Sequence, residues 1–247
     1  MTAAPLQREL ETDKTVVFHY INGPIEVNPP PGEYSFLWIF VVWLFTTWWQ
    51  GSGTIWGYLG KGPHYRWADD GGNAESTILS RIQQFPVGQT SEDVMRALAP
   101  DAVVWRNHQA VVDYLNDFLD RNPEIEGIVG YSEGASMAAA FLLDEGQRLR
   151  ETGRQKRNKC AMFFMGWPPV APDDAAVLCD ESDLVIDIPT LHVVGAYDPY
   201  RHGALALFNV CKPEKAQLFD TGKGHTVPRG GRVITELADA VREMIQL

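Results

Sequence analysis

The sequence predicts an α/β fold, a mostly parallel sheet with helices on both faces. Short apolar runs bounded by turn residues alternate with segments of helical periodicity, the pattern that builds parallel sheets. A chain of 247 residues with 45% hydrophobic content can bury one large core, and α/β folds often reach this length as a single domain. One of the runs ends on a serine between two glycines, at a strand-to-helix boundary.

Taken in order, "PLQRELET" (5–12) reads as the end of an amphipathic helix and "KTVVFHYI" (14–21) as a β-branched, aromatic strand. "NGPIEVNPPPG" (22–32) is a proline-rich loop that cannot continue a sheet. Beyond an apolar stretch at 33–50, a Gly-rich loop runs through "YRWADDGGN", and helix patterns follow near 74–84 and 107–121. The latter places Val111, Val112, Leu115, Phe118 and Leu119 on one face. "EGIVGYS" is a buried strand leading straight into the helix "EGASMAAAFLLDEG". Strands at 159–166, 188–195 and 214–220 follow, with a helix near 201–211 and a last helix, "VITELADAVREMIQ". No internal repeat or low-complexity tract is evident.

Composition narrows the function. A formal charge of −11 repels nucleic-acid phosphates. The basic run from Arg148 to Lys159 is the local exception, and its place between a helix and a strand marks a solvated turn. Cys160, Cys179 and Cys211 are odd in number and lack C-x-x-C spacing, which suggests reduced thiols in an intracellular protein. The histidines show no metal-ligand spacing, so no metal is expected. The opening "MTAAPLQRELETDK" lacks the apolar core of a secretory signal, so a cytoplasmic location is expected.

Gly-x-Ser-x-Gly arises by accident in roughly one chain in ten of this length, so context must decide. A nucleophile elbow needs a strand, a sharp turn holding the serine in a strained conformation, and a helix. Residues 127–141 supply all three, with Gly130 and Gly134 allowing close approach of strand and helix. The helix start would place the Glu133 N–H beside Ser132, where an oxyanion develops. A serine hydroxyl also needs a base. Asp198, in "AYDP", and His225, in "TGKGHTVPR", each follow a strand at the carboxyl end, where open α/β sheets place their chemistry. The order Ser132, Asp198, His225 is that of the α/β-hydrolases. Asp173 and Asp187 compete as acids, although Asp187 precedes its strand. His192 reads as buried within its strand, His202 as a weaker base than His225, and Cys160 as core.

Together "IEGIVGYSEGASMAA", "IPTLHVVGAYDPY" and "GKGHTVPR" resemble the fungal FSH-domain serine hydrolases, an α/β-hydrolase branch. "NGPIEVNPPPG" and "YRWADD" resemble the segment after that family's second core strand. The resemblance covers nearly all of the chain except 33–50 and implies one serine hydrolase domain over 1–247. Motif by motif, it puts the nucleophile on Ser132, the acid on Asp198 and the base on His225. It implies an esterase or thioesterase without cofactor, acting on a small or carrier-bound acyl substrate. Many members release polyketide chains held as thioesters by a synthase, which would make a polyketide synthase the partner.

The chain departs from the family twice. It lacks the first strand and its Leu-His-Gly-like loop, which supply the other oxyanion donor. Either the true start lies upstream, or the fold is N-terminally truncated relative to the family and its activity impaired. Strand 14–21 is then expected either about 9–10 Å from strand 127–131, leaving a slot, or paired directly with it. The second departure is "SFLWIFVVWLFTTWW" (35–49), fifteen uncharged residues with four tryptophans. It falls short of the roughly 20 residues that span a bilayer. Its readings are sequence foreign to the fold such as a translated intron, an apolar lid for an acyl chain, or an interfacial anchor. The rival functions are a non-catalytic remnant or binding module of the same fold, and a membrane-associated lipase anchored by 35–49.

Overall fold

The computed structural model describes residues 4–27, 41–43, 64–69, 86–98, 105–171 and 176–247. Its centre is a five-stranded sheet in the order β2 (Val41–Trp43), β4 (Gly127–Tyr131), β5 (Cys160–Phe164), β6 (Thr190–Val194), β7 (Ala216–Asp220). From β4 to β7 every pairing is parallel, and β2 joins β4 antiparallel, Val42 opposite Gly130. A separate antiparallel ribbon pairs β1 (Ile25–Val27) with β3 (His64–Arg66).

Strands buried on both sides read as continuous apolar runs, because successive side chains point to opposite faces. In β5, Ala161 and Phe163 face one core, and Met162 and Phe164 face the other. The first core is closed by α3 (His108–Arg121) and α4 (Glu133–Thr152), with Leu207 of α5 (Arg201–Asn209). The second lies under α1 (Ala4–Thr12) and α6 (Arg232–Met244), through Leu6, Leu10, Ile234, Leu237 and Val241. Helix α2 (Ser91–Leu98) packs Val94 and Leu98 near Ala206 of α5.

Helix α4 can lie close to the sheet because Gly134, Ala135, Ser136, Ala138, Ala139 and Ala140 give its first half a slim surface, and the alanines favour the helix. It continues to Thr152, past the expected end, and stops where Gly153 takes a left-handed φ of 73° and donates its N–H to Leu149. Several cations of the basic run are paired within the chain. Arg148 pairs with Asp144 at 2.7 Å, Arg157 with Asp120 at 2.8 Å, and Lys159 with Glu126.

Several expectations are corrected. Residues 16–23 form no strand. They run as a connector that buries Phe18 and Ile21 while Val17 stands 75% exposed. The stretch 14–21 does not pair with β4, and the place beside β4 is taken by β2, from within the apolar stretch. Residues 25–27 and 64–66, read as loops, form the ribbon, whose short strands leave the prolines outside the ladder. Helix α2 was not expected. The helix pattern at 74–84, and all of 33–50 apart from 41–43, lie outside the described residues. Among the described residues no helix is long and apolar enough to cross a membrane.

Candidate active site

Parallel pairing brings the carboxyl ends of β4, β5, β6 and β7 to one edge, with Tyr131 opposite Phe164, Phe164 opposite Val193, and Val194 opposite Asp220. At the end of β4 the chain reverses into α4 within one residue, Ser132, at φ 54° and ψ −123°. A side chain in this region costs about 1–3 kcal/mol, sustained only where the surroundings enforce it. Here the ladder enforces it, since the Ser132 N–H donates to the Phe164 carbonyl at 2.9 Å and the Ser132 carbonyl accepts from Ala135 at 2.9 Å. A methyl group on Gly130 would sit 2.4 Å from Ala135 Cα and 2.5 Å from the Gly134 carbonyl oxygen, so strand and helix meet here only with glycine. Relief of the strain should be measurable. Ser132→Gly is expected to be more stable than Ser132→Ala by about 1 kcal/mol in urea unfolding, after allowing for the looser unfolded chain. Equal midpoints would mean that the turn is not strained.

The next residues arrive from two neighbouring strands. Asp198 lies in the loop after β6 and is almost wholly buried, with a side chain 1% exposed. One carboxylate oxygen, Oδ1, accepts the Tyr200 N–H at 2.8 Å, and Oδ2 lies 2.7 Å from His225 Nδ1. His225, after β7, places Nε2 at 3.3 Å from Ser132 Oγ. A carboxylate can only accept, so Nδ1 carries the proton and Nε2 is left to accept from the serine hydroxyl. The two loops are seated on each other, with the Tyr197 N–H donating to the Lys223 carbonyl at 2.9 Å. The imidazole is held from two sides. Tyr200 meets it edge-on at 5.0 Å, and Tyr131 lies at 5.3 Å with its hydroxyl donating to the His225 carbonyl at 3.1 Å. Burial, together with the Asp198 charge, pushes both phenols above their ordinary range, so Tyr131 stays a donor.

Glu133 heads α4, and its N–H is one of the first-turn donors that a helix leaves without an internal acceptor. Its side chain turns away from solvent. The carboxylate accepts the N–H groups of Trp67 at 2.8 Å and Ala68 at 3.0 Å, and meets Arg66 Nη2 at 3.2 Å. Burial pushes this carboxyl up, while the Arg66 charge and the two N–H groups pull it back.

The competing residues lie elsewhere. His202 sits on α5 with Nδ1 3.4 Å from Ser91 Oγ. Asp187 precedes β6 and pairs with Lys215 at 2.8 Å. Asp173 lies outside the described residues. Cys160 begins β5 half-buried, and burial pushes its thiol up, away from the reactive thiolate. Sequence reasoning did not single out Tyr131, Tyr200 or Arg66. The first two adjoin the motifs in sequence, and that adjacency is the signal that could have found them.

His192 is 1% exposed between Phe163 and Phe208, with Nε2 3.2 Å from Thr190 Oγ1. Burial lowers its pKa to about 3. Its folded pKa therefore lies below the unfolded value of about 6.5, so its contribution is complete above pH 6.5 and is lost as pH falls toward 3. By pH 4 the loss should reach about 3 kcal/mol. Urea unfolding of parent and His192→Leu from pH 7 to 4 should show this extra acid sensitivity in the parent alone, above a constant offset for the Thr190 hydroxyl left behind. Parallel curves would refute it.

The sequence is similar to those of known fungal proteins. Over 133 residues the chain is 32% identical to the hydrolase phiM of a fungal species, covering 53% of this chain and 63% of that one. It is 29% identical to the esterase FUS5 of Gibberella moniliformis over 148 residues, covering 59% and 58%. A third relative, the hydrolase phiM of Talaromyces stipitatus, is 24% identical over 241 residues, covering 94% and 76%. The chain thus spans about three-fifths of the length of the first two. Residues 87–237, which include Ser132, Asp198 and His225, match the model of the serine hydrolase (FSH1) family, and the chain belongs to that family.

Proposed function

We propose that the protein is a serine esterase that works through Ser132, His225 and Asp198. The observation that carries this reading is the hydrogen-bonded chain from Asp198 Oδ2 through the imidazole to Ser132 Oγ, with the serine on a strained strand-to-helix turn. In the proposed reaction His225 Nε2 takes the hydroxyl proton as Oγ bonds to the acyl carbon. The carbonyl electron pair moves onto oxygen, which accepts the Glu133 N–H at the positive end of α4. When the intermediate collapses, the bond to the alcohol or thiol breaks and His225 returns the proton to the leaving group. Water then attacks the acyl-enzyme by the same path, releasing the acid and restoring Ser132. These steps need neither a metal nor an organic cofactor.

For the substrate we propose a carboxylic ester or thioester of a polyketide or fatty chain, small or carrier-bound, as in the fungal enzymes this sequence resembles. That two relatives are named as an esterase and a hydrolase is compatible with this reading. The test is a fluorophosphonate probe, which bonds only to a serine activated by its base, followed by mass spectrometry of the peptide holding Ser132. Esters and thioesters of matched acyl groups, assayed side by side, separate the two leaving groups. A folded protein that takes no label would refute the proposal.

A further inference from the structure

Residues 66–69 are held as a block between two helix starts. Glu133 Oε1 accepts both the Trp67 and Ala68 N–H groups, and Oε2 faces Arg66 Nη2. From the other side, Asn107 Nδ2 donates to the Trp67 carbonyl at 2.7 Å and Asn107 Oδ1 accepts the Asp69 N–H at 2.7 Å. The Arg106 N–H donates to the Asp69 carbonyl at 3.0 Å. Trp67 is fully buried among the residues of α3, its ring 6.2 Å from that of Tyr114. Two part-buried networks therefore meet on the block 66–69, one of them made by Glu133, the residue next to the nucleophile. None of these groups takes part in the proton transfers proposed above.

We infer that Glu133 is a positioning residue, whose carboxylate fixes the first turn of α4, and so the N–H that meets the oxyanion, against the block 66–69. The inference rests on the reading of Ser132 as nucleophile. An oxyanion donor works only from where it already stands, and a misplacement of about 1 Å can cost about 100-fold in rate.

The atoms suggest a set of variants. Glu133→Ala removes the anchor. Glu133→Gln keeps both N–H bonds through Oε1 but turns an NH₂ group toward the Arg66 guanidinium, donor against donor. Adding Arg66→Met to Glu133→Gln removes that conflict. The experiment measures kcat and KM on a p-nitrophenyl ester, the fraction of sites that take a fluorophosphonate, and amide exchange at Trp67 and Ala68. Glu133→Ala is expected to lower kcat per labelled site about 10- to 100-fold, with KM within about threefold and faster exchange at both amides. Glu133→Gln should lose about tenfold in kcat, and the double variant should return to within about threefold of the parent. A general loss of stability would not produce that recovery.

The inference is overturned if folded Glu133→Ala keeps kcat per site within twofold, or if the double variant is no better than Glu133→Gln. Should Glu133→Ala fail to fold, the comparison of the other two decides. A parent that takes no label overturns the reading of Ser132 and the catalytic part of the inference with it, whereas unchanged exchange in a labelled protein overturns the anchor alone.

Discussion

Ser132→Ala is expected to lower ester hydrolysis by a factor on the order of 10⁵–10⁶, leaving what oxyanion contacts and binding alone supply. The large factor follows from the mechanism. Without Oγ no acyl-enzyme can form, and only direct attack by water remains. Alanine keeps the Cβ and the backbone bonds to Phe164 and Ala135, so the fold should persist. The measurement is kcat on a short-chain ester together with loss of the fluorophosphonate adduct, circular dichroism serving as the control. Turnover retained by a folded variant would remove Ser132 from the mechanism.

Asp198→Asn should cost about 10⁴ in kcat, by a route that the hydrogen bonds specify. Oδ1 receives the Tyr200 backbone N–H, a donor that cannot turn around. The asparagine carbonyl oxygen must take that place, which puts the amide NH₂ at the position of Oδ2, facing His225 Nδ1. Two donors cannot face each other, so Nδ1 loses its proton and Nε2 gains one. The nitrogen 3.3 Å from Ser132 Oγ is then a donor and cannot accept the hydroxyl proton. NMR of the ring N–H protons would show the tautomer directly, alongside kcat. An unchanged rate would mean that Asp198 only packs against the histidine.

What was legible follows from how far each signal reaches along the chain. Strands β4 to β7 and helices α3 to α6 could be read because each is a local apolar pattern bounded by its own turn residues. That Ser132, Asp198 and His225 would come together at one edge was legible for the same reason, each following such a strand within a few residues. Helix α2 carried a signal that was passed over. Thr90 and Asp93 form a reciprocal cap, with the Asp93 N–H on Thr90 Oγ1 at 3.1 Å and the Thr90 N–H on Asp93 Oδ2 at 3.2 Å. The misreading of 14–21 has a physical cause. Strand propensity records fitness for a half-buried surface, and Phe18 and Ile21 find one without a ladder. No periodicity could announce that 41–43 would pair with β4, because only the assembled sheet defines that partner. The hold of Glu133 on 67–68 was hidden likewise, as it joins residues far apart in the chain.

The positive φ at Ser132 has a consequence over generations. Most substitutions are filtered only by whether enough stability remains, so a position that costs stability drifts toward relief once nothing opposes the change. At Ser132 relief is close at hand, since glycine adopts this conformation without strain and needs no room that serine does not already occupy. A remnant released from chemical duty would be expected to slide there early. Serine stands there instead, with a histidine and an aspartate in line behind it. Replacing it by glycine is thus expected to trade the hydroxyl for stability.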